Sequence, residues 1–394
     1  MTDSIKAVPT INEPELSIVM PCLNEARTVV ACVAKALGFL REAGIKGEVV
    51  VADNGSTDDS ASLAAQAGAR IVAVEEKGYG AALAGGIVAA RGRYVIMGDC
   101  DESYDFAAVG PMLDKLRQGT ALVVGNRFQG GIQKGAMPVL NRYLGNPFLS
   151  FIGKLFFGIK VGDFHCGLRG FDRRAVLDLD LKTVGMEYAS EMIVRAALCG
   201  LSIDEVPVTL SPDGRDRKPH LHPWRDGWRH LRFLLLYSPR WLYMYPGLAL
   251  VFLGLAILAL LLPGPLMIGQ GVGLDVHTLL VGAMSILLGV QAITFGVMAR
   301  SYAARTSMIP RASRYDRLIS DLRLEHLLAL AGLLLACGFG ALGWAMHRWS
   351  SVNFGALDSL DVMRVLIVAL TCIVGGVQIG FSGFLLGVMQ IRQK

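Results

Sequence analysis

Charge is missing where this 394-residue chain is most apolar. Four runs, Trp241–Leu262, His277–Ala299, His326–Met346 and Val362–Met389, hold almost no ionisable residues, and each approaches or exceeds the about 20 residues that cross a bilayer. They raise the mean hydropathy to +0.47 and the hydrophobic content to 53%, which favours spanning helices over the buried helices of one large soluble core. Cysteine is scarce and scattered. Seven occur (Cys22, Cys32, Cys100, Cys166, Cys199, Cys337, Cys372) with no C-x-x-C pair, which argues for free thiols packed as small apolar residues and against a disulfide framework or a thiolate metal site. A cleavable signal sequence is also missing: the first apolar segment, Leu16–Met20, is short and follows Glu13 and Glu15, so the N-terminal half is expected to start in the cytoplasm.

Basic residues are absent from the loop Pro263–Val276, and His347–Asp361 has only Arg348. By contrast, the connection between the second and third runs carries Arg300, Arg305, Arg311, Arg314, Arg317 and Arg323, and the tail ends in Arg392 and Lys394. The positive-inside rule therefore predicts a multi-pass protein of the inner or plasma membrane, with both termini, the arginine-rich loop and the N-terminal half cytoplasmic. The net charge of +5 reads as contact with anionic lipid, not with nucleic acid.

From Leu16 to Gly125 short β-rich runs alternate with helical stretches, the pattern of βαβ units around a mostly parallel sheet. Strands are expected at Leu16–Met20, Val49–Asp53, Arg70–Val74, Tyr94–Gly98 and Ala121–Val124, with helices near Ala26–Ala43, Ser60–Ala67, Ala81–Ala90 and Ala107–Gln118. Ligands of such sheets bind at the carboxyl ends of the strands. There the polar segments collect: Pro21-Cys22-Leu23-Asn24-Glu25, Asp53-Asn54-Gly55-Ser56-Thr57-Asp58-Asp59, Lys77-Gly78-Tyr79-Gly80 and Asp99-Cys100-Asp101. Two carboxylates spaced D-x-D after a buried strand suit a hard divalent cation held against a diphosphate. Asp53 suits a base or ribose, and helix N-termini suit phosphate oxygens.

In this order the motifs resemble the inverting family 2 glycosyltransferases of GT-A fold, and most closely the polyprenyl-phosphate (dolichol-phosphate) hexosyltransferases, over roughly Leu16 to Leu210. The resemblance implies an α/β, Rossmann-like GT-A domain followed by an all-α membrane domain of four helices. It implies that Pro21, Leu23, Asn24, Glu25, Asp53, Gly55, Ser56, Lys77, Gly78, Asp99 and Cys100 hold the nucleotide sugar. Asp101 and Asp99 would hold Mg²⁺ or Mn²⁺, with Asp101 the more direct ligand. Relatives often carry an amide two places after the second aspartate; here Ser103 stands there, which leaves water to complete the metal's shell.

Further along, Asn126-Arg127 precedes a glycine-rich stretch, Gln129–Pro138, where relatives place an acceptor loop. Val139–Ile159 reads either as a core helix or as one lying in the membrane interface. Asp163 and Arg169 form either a structural ion pair or part of the sugar and acceptor side, together with Glu187 and Glu191 on a helix Met186–Leu198. His165, with no second ligand at metal spacing, is expected to be hydrogen-bonded. No dedicated general base is evident. A lipid monophosphate, already an anionic nucleophile, needs none, whereas two anions held together need positive charge. Arg127, Lys134, Arg142, Arg169, Arg215, Arg217 and Lys218 are the candidates, with Asp101, Arg127 and Arg169 the expected catalytic set. Trp224 and Trp228 share a helical face with Arg225, Arg229 and Arg232 close by, the composition of an interfacial helix.

The expected plan is a tail 1–14, the GT-A domain 15–220, an interfacial helix 221–240 and the membrane domain 241–394. The expected activity is metal-dependent, inverting transfer of a hexose from a nucleotide sugar of the GDP-mannose or UDP-glucose type to polyprenyl phosphate on the cytoplasmic leaflet, with homo-oligomerisation left open. Rival readings are a processive polysaccharide synthase, although no Gln precedes Arg240-Trp241 at Q-x-x-R-W spacing, and a non-catalytic nucleotide-binding membrane protein.

Overall fold

The structure, a computed structural model, describes residues 13–215, 223–269, 272–306, 308–310, 324–355 and 360–390. Of the expected features, the start of the N-terminal tail, Arg217, Lys218, Arg311, Arg314, Arg317, Arg323, Arg392 and Lys394 lie outside these residues. The chain divides into two compact units, one ending at Leu234 and the other beginning at Leu235.

The first unit is built on seven strands, β1 (Leu16–Cys22), β2 (Gly47–Asp53), β3 (Arg70–Ala73), β4 (Tyr94–Met97), β5 (Leu122–Asn126), β6 (Arg169–Asp172) and β7 (Ile203–Pro207), in the order β3-β2-β1-β4-β6-β5-β7. Every residue of β4 and β5 is buried, as an unbroken apolar strand covered on both faces requires. Helices α1 (Val29–Glu42), α2 (Ser60–Gln66), α3 (Tyr79–Ala89) and α4 (Gly110–Arg117) fill the connections. In α1 the residues Val29, Cys32, Val33, Ala36 and Leu40 are buried, the inward stripe of an amphipathic helix.

In this sheet two strands go beyond the expected five. β6 runs antiparallel between β4 and β5, and its Arg-Gly-Phe-Asp sequence carries no strand periodicity. β7 is a polar edge strand, paired only with β5. Register decides where the loops emerge: Cys22 stands opposite Asp53, and Val19 opposite Met97. The carboxyl ends of β1, β2 and β4 therefore finish on one rim.

The second unit contains the four expected spans, Arg240–Leu261, Val276–Arg305, Leu324–Ser350 and Leu360–Met389, each with a mean hydropathy of 2.0 to 2.3. The second is about 45 Å long at 1.5 Å per residue, longer than a hydrocarbon core of about 30 Å, and it carries Arg300 and Arg305 at one end. Glycines bring the first two spans together: a Cβ on Gly254 would lie 2.4 Å from the Gly282 carbonyl, and one on Gly289 2.6 Å from that of Gly247, the close backbone approach that small residues allow in lipid. The second and fourth spans are joined at their starts by Arg364, which reaches Asp275 and Asp361, both at 2.6 Å.

Phe106 is fully buried in the first unit. Phe106→Ala is expected to cost about 3–5 kcal/mol, read as a lowered thermal midpoint of the full chain in detergent.

Candidate active site

The four loops on the rim are stitched to one another, mostly by short polar side chains. After β1, Asn24 adopts a left-handed backbone (φ 59°), which aims its Oδ1 to accept from Thr57 N at 2.7 Å, while Asn24 N donates to Ser56 Oγ at 2.9 Å and Glu25 N to Ser60 Oγ at 2.7 Å. Asp53 closes its own turn by accepting from Gly55 N and Ser56 N, at 3.2 and 3.3 Å. Asn54 ties β2 to the loop after β3: its Nδ2 donates to the carbonyls of Val74 (3.1 Å) and Glu76 (2.7 Å), and its Oδ1 accepts from Gly78 N at 2.8 Å. Lys77 Nζ donates to the Asn54 carbonyl at 2.8 Å. The loop after β4 is tied to β1 by Cys100 Sγ, which donates to Pro21 O at 2.9 Å, and by Thr28 Oγ1, which donates to Cys100 O at 2.7 Å. Leu23 stands exposed on this rim.

Positioning thus falls partly on Thr28, Asn54 and Tyr79, none of them among the expected site residues. Asn54 and Tyr79 stand inside the motifs read from the sequence, and their position between candidate ligands was the available signal.

The acidic pair is held asymmetrically. Tyr79 lies beside the Asp99 carboxyl, and burial, followed by the charge of Asp101, pushes that carboxyl up to about 6. Asp101 is buried, and its Oδ1 accepts from Ser103 N at 3.0 Å and from Ser103 Oγ. Its Oδ2 lies 3.1 Å from Arg215 Nη1. The same guanidinium reaches Glu25 through Nε and Nη2, each at 2.8 Å. Burial opposes the Arg215 charge, but the hydrogen bond to Glu25 and the charge of Asp101 hold it protonated more firmly than a free arginine. Carboxylate oxygens are the donors that Mg²⁺ and Mn²⁺ prefer, and a side-chain cation already drawn to Asp101 marks the place as one that attracts positive charge. Among the described residues there is no cluster of three or more His, Cys, Asp or Glu able to hold a metal unaided.

Against this geometry the comparisons are direct. Residues 17–179 match Glycosyl transferase family 2, and residues 297–390 match the Glycosyltransferase family 2 C-terminal transmembrane region. Low-salt glycan biosynthesis hexosyltransferase Agl6 of Haloferax volcanii is 36% identical over 377 residues, 95% of this chain and 89% of that protein. The chain belongs to the family 2 glycosyltransferases. Dolichyl-phosphate hexose transferase of the same organism is 31% identical over 215 residues, 54% of this chain and 89% of its own length. Dolichyl-phosphate beta-glucosyltransferase of Saccharomyces cerevisiae is 26% identical over 240 residues, 52% and 71% of the two chains.

Several residues expected to face ligands of this glycosyltransferase are engaged elsewhere. Asp163, fully buried, pairs with Arg127, not with Arg169: Arg127 Nε donates to Oδ2 at 2.6 Å and Nη2 to Oδ1 at 2.8 Å. Arg169, expected to be catalytic, is fully buried and spends its donors on the carbonyls of Cys166, Phe164 and Ala189; it braces the 164–169 loop. Glu191, expected on the acceptor side, is fully buried and accepts from Lys182 N, Thr183 N and Thr183 Oγ1 at 2.7–3.0 Å. The segment it holds supplies the Val184 carbonyl that accepts from Gly80 N at 2.9 Å, so Glu191 acts through the donor loop. His165 corrects another expectation, since neither ring nitrogen has a hydrogen-bond partner among the described residues. Burial, then His230, depresses its pKa well below the usual imidazole value and keeps it neutral.

Helix Pro223–Leu236 is pinned to helix Glu187–Leu198 by Arg229 Nε on Glu187 Oε1 at 3.0 Å and by a 2.9 Å hydrogen bond between His230 Nδ1 and Ser190 Oγ. Trp224 and Trp228 stay 80% and 59% exposed. Lys134 is exposed, and Arg142 lies over the Tyr143 ring.

Asp163→Ala leaves the Arg127 charge buried and alone. The expected loss is about 3–5 kcal/mol of stability, seen as a fall in thermal midpoint; an unchanged midpoint would place Arg127 in solvent contact instead.

Proposed function

We propose that this glycosyltransferase moves one hexose from a nucleoside diphosphate sugar to the phosphate of a polyprenyl phosphate, with inversion at the anomeric carbon, at the cytoplasmic face of the membrane. The observation that carries the reading is the commitment of the carboxylates around the rim. Asp163 is held by Arg127, Glu191 by backbone and Thr183, and Glu187 by Arg229. An alcohol acceptor needs a carboxylate to take its proton; a phosphate monoester arrives as a nucleophile. The relatives named for dolichyl-phosphate support the same acceptor class.

In this reading Asp53 and the Pro21–Glu25 loop bind and orient the nucleoside, and Lys77 and Gly78 line the donor side. Asp99 and Asp101 would hold a divalent cation, which when bound supplies positive charge for the departing diphosphate. Lys134 and Arg142 attract the lipid phosphate to the adjoining loop. Adsorption to the bilayer is supported by the exposed apolar positions Tyr143, Leu144, Phe148, Phe151 and Leu155 along 141–157 and by Trp224 and Trp228, with basic residues beside both. The interfacial alternative for Val139–Ile159 is the one that this exposure favours.

Membranes carrying the enzyme, given a panel of labelled UDP- and GDP-sugars with polyprenyl phosphate, are expected to yield one labelled lipid. EDTA and Asp101→Asn are each expected to lower the yield by about a hundredfold or more, the scale of losing one electrostatic stabiliser of the transition state. Transfer at the normal rate by folded Asp101→Asn in membranes would overturn the mechanism.

A further inference from the structure

We propose that Arg215 is a tethered cation which occupies the divalent-metal position of this glycosyltransferase and gives it up only when metal and nucleotide arrive together. The inference rests on the proposed metal role of Asp101. It starts from a count of lone pairs. Asp101 Oδ1 is taken by both donors of Ser103, and Oδ2 by Arg215 Nη1 at 3.1 Å. Glu25 takes Nε and Nη2 of the same guanidinium. Both carboxylates are 6% exposed, and two buried carboxylates sharing one space require a counter-cation. A metal ion and a guanidinium against the same Oδ2 repel each other, so each weakens the other's hold on that oxygen. Metal alone therefore displaces Nη1 from Asp101 and leaves the guanidinium on Glu25, close to a second cation with no anion between them.

A nucleoside diphosphate changes the balance. It brings phosphate oxygens that match the planar fork of arginine in two-point geometry, so Arg215 exchanges one anion for another while the metal takes Asp101. The backbone carrying Arg215 is anchored beside the acidic loop, with Ser211 N donating to Ser103 O at 3.0 Å and Gly214 N to Asp101 O at 2.9 Å. The approach is closest at Gly214, where a Cβ would come within 2.7 Å of Glu102 Oε2. With the backbone held there, the exchange falls to the Arg215 side chain.

The test is Mn²⁺ binding to the full chain in detergent, followed by the electron paramagnetic resonance signal of free Mn²⁺, without nucleotide and with UDP or GDP. Wild type is expected to bind Mn²⁺ weakly alone and tightly with a nucleoside diphosphate. Arg215→Ala is expected to bind Mn²⁺ alone roughly tenfold to a hundredfold more tightly, the span of a hydrogen bond to a charged group, and to gain less from nucleotide. If Arg215→Ala does not fold, Arg215→Lys serves, since an ammonium cannot span both carboxylates and Mn²⁺ affinity should rise in the same direction. Unchanged or weaker Mn²⁺ binding by the folded variant overturns the handover while leaving the metal reading intact. Absence of Mn²⁺ binding in every protein, with or without nucleotide, overturns both.

Discussion

Because β1 is paired in parallel with β2 on one side and β4 on the other, three polar loops leave the sheet at one rim and in one order. The rest of the site follows from that pairing. Asn24 can reach Thr57 and Cys100 can reach Pro21 because β2 and β4 flank β1, and Asn54 can reach Gly78 because β3 ends level with β2. A slip of one residue in β4 would turn its side chains to the opposite face of the sheet and shift the loop that carries Asp99 and Asp101.

The rim gathers negative charge, and much of the surrounding structure manages it. Where the charge is structural it is neutralised inside the protein, as in the fork of Arg127 on Asp163 and the backbone donors around Glu191. Between Glu25 and Asp101 it is balanced by Arg215, which reaches both carboxylates. The same chain carries a family 2 glycosyltransferase domain and four helices long and apolar enough to cross a membrane.

Much of this was legible in the sequence. The apolar runs of β1, β2 and β4, the D-x-D after β4 and the four uncharged segments are local patterns, and local patterns survive without coordinates. What stayed hidden depended on contacts between distant residues. Arg127 meets Asp163 across 36 positions, whereas the nearer Arg169 turns to backbone carbonyls, a choice that spacing does not encode. β6 escaped because Arg169 and Gly170 interrupt its hydrophobic pattern and its partners come from two separate strands. Ser103, read as leaving water to complete a metal's shell, also has a role that spacing did not show: its N and Oγ both donate to Asp101. Glu191 looked purposeful on an apolar helix, and its purpose is to hold the chain that supports Gly80.

The acceptor is where the account is most exposed. The direct measurement is the linkage and anomeric configuration of the lipid product, by phosphorus and proton nuclear magnetic resonance, after incubation with a single labelled nucleotide sugar and polyprenyl phosphate. The account predicts one hexose joined through a phosphodiester, with the anomeric configuration opposite to that of the donor. A hexose linked to a hydroxyl, a retained anomer, or a chain of several sugars would contradict it.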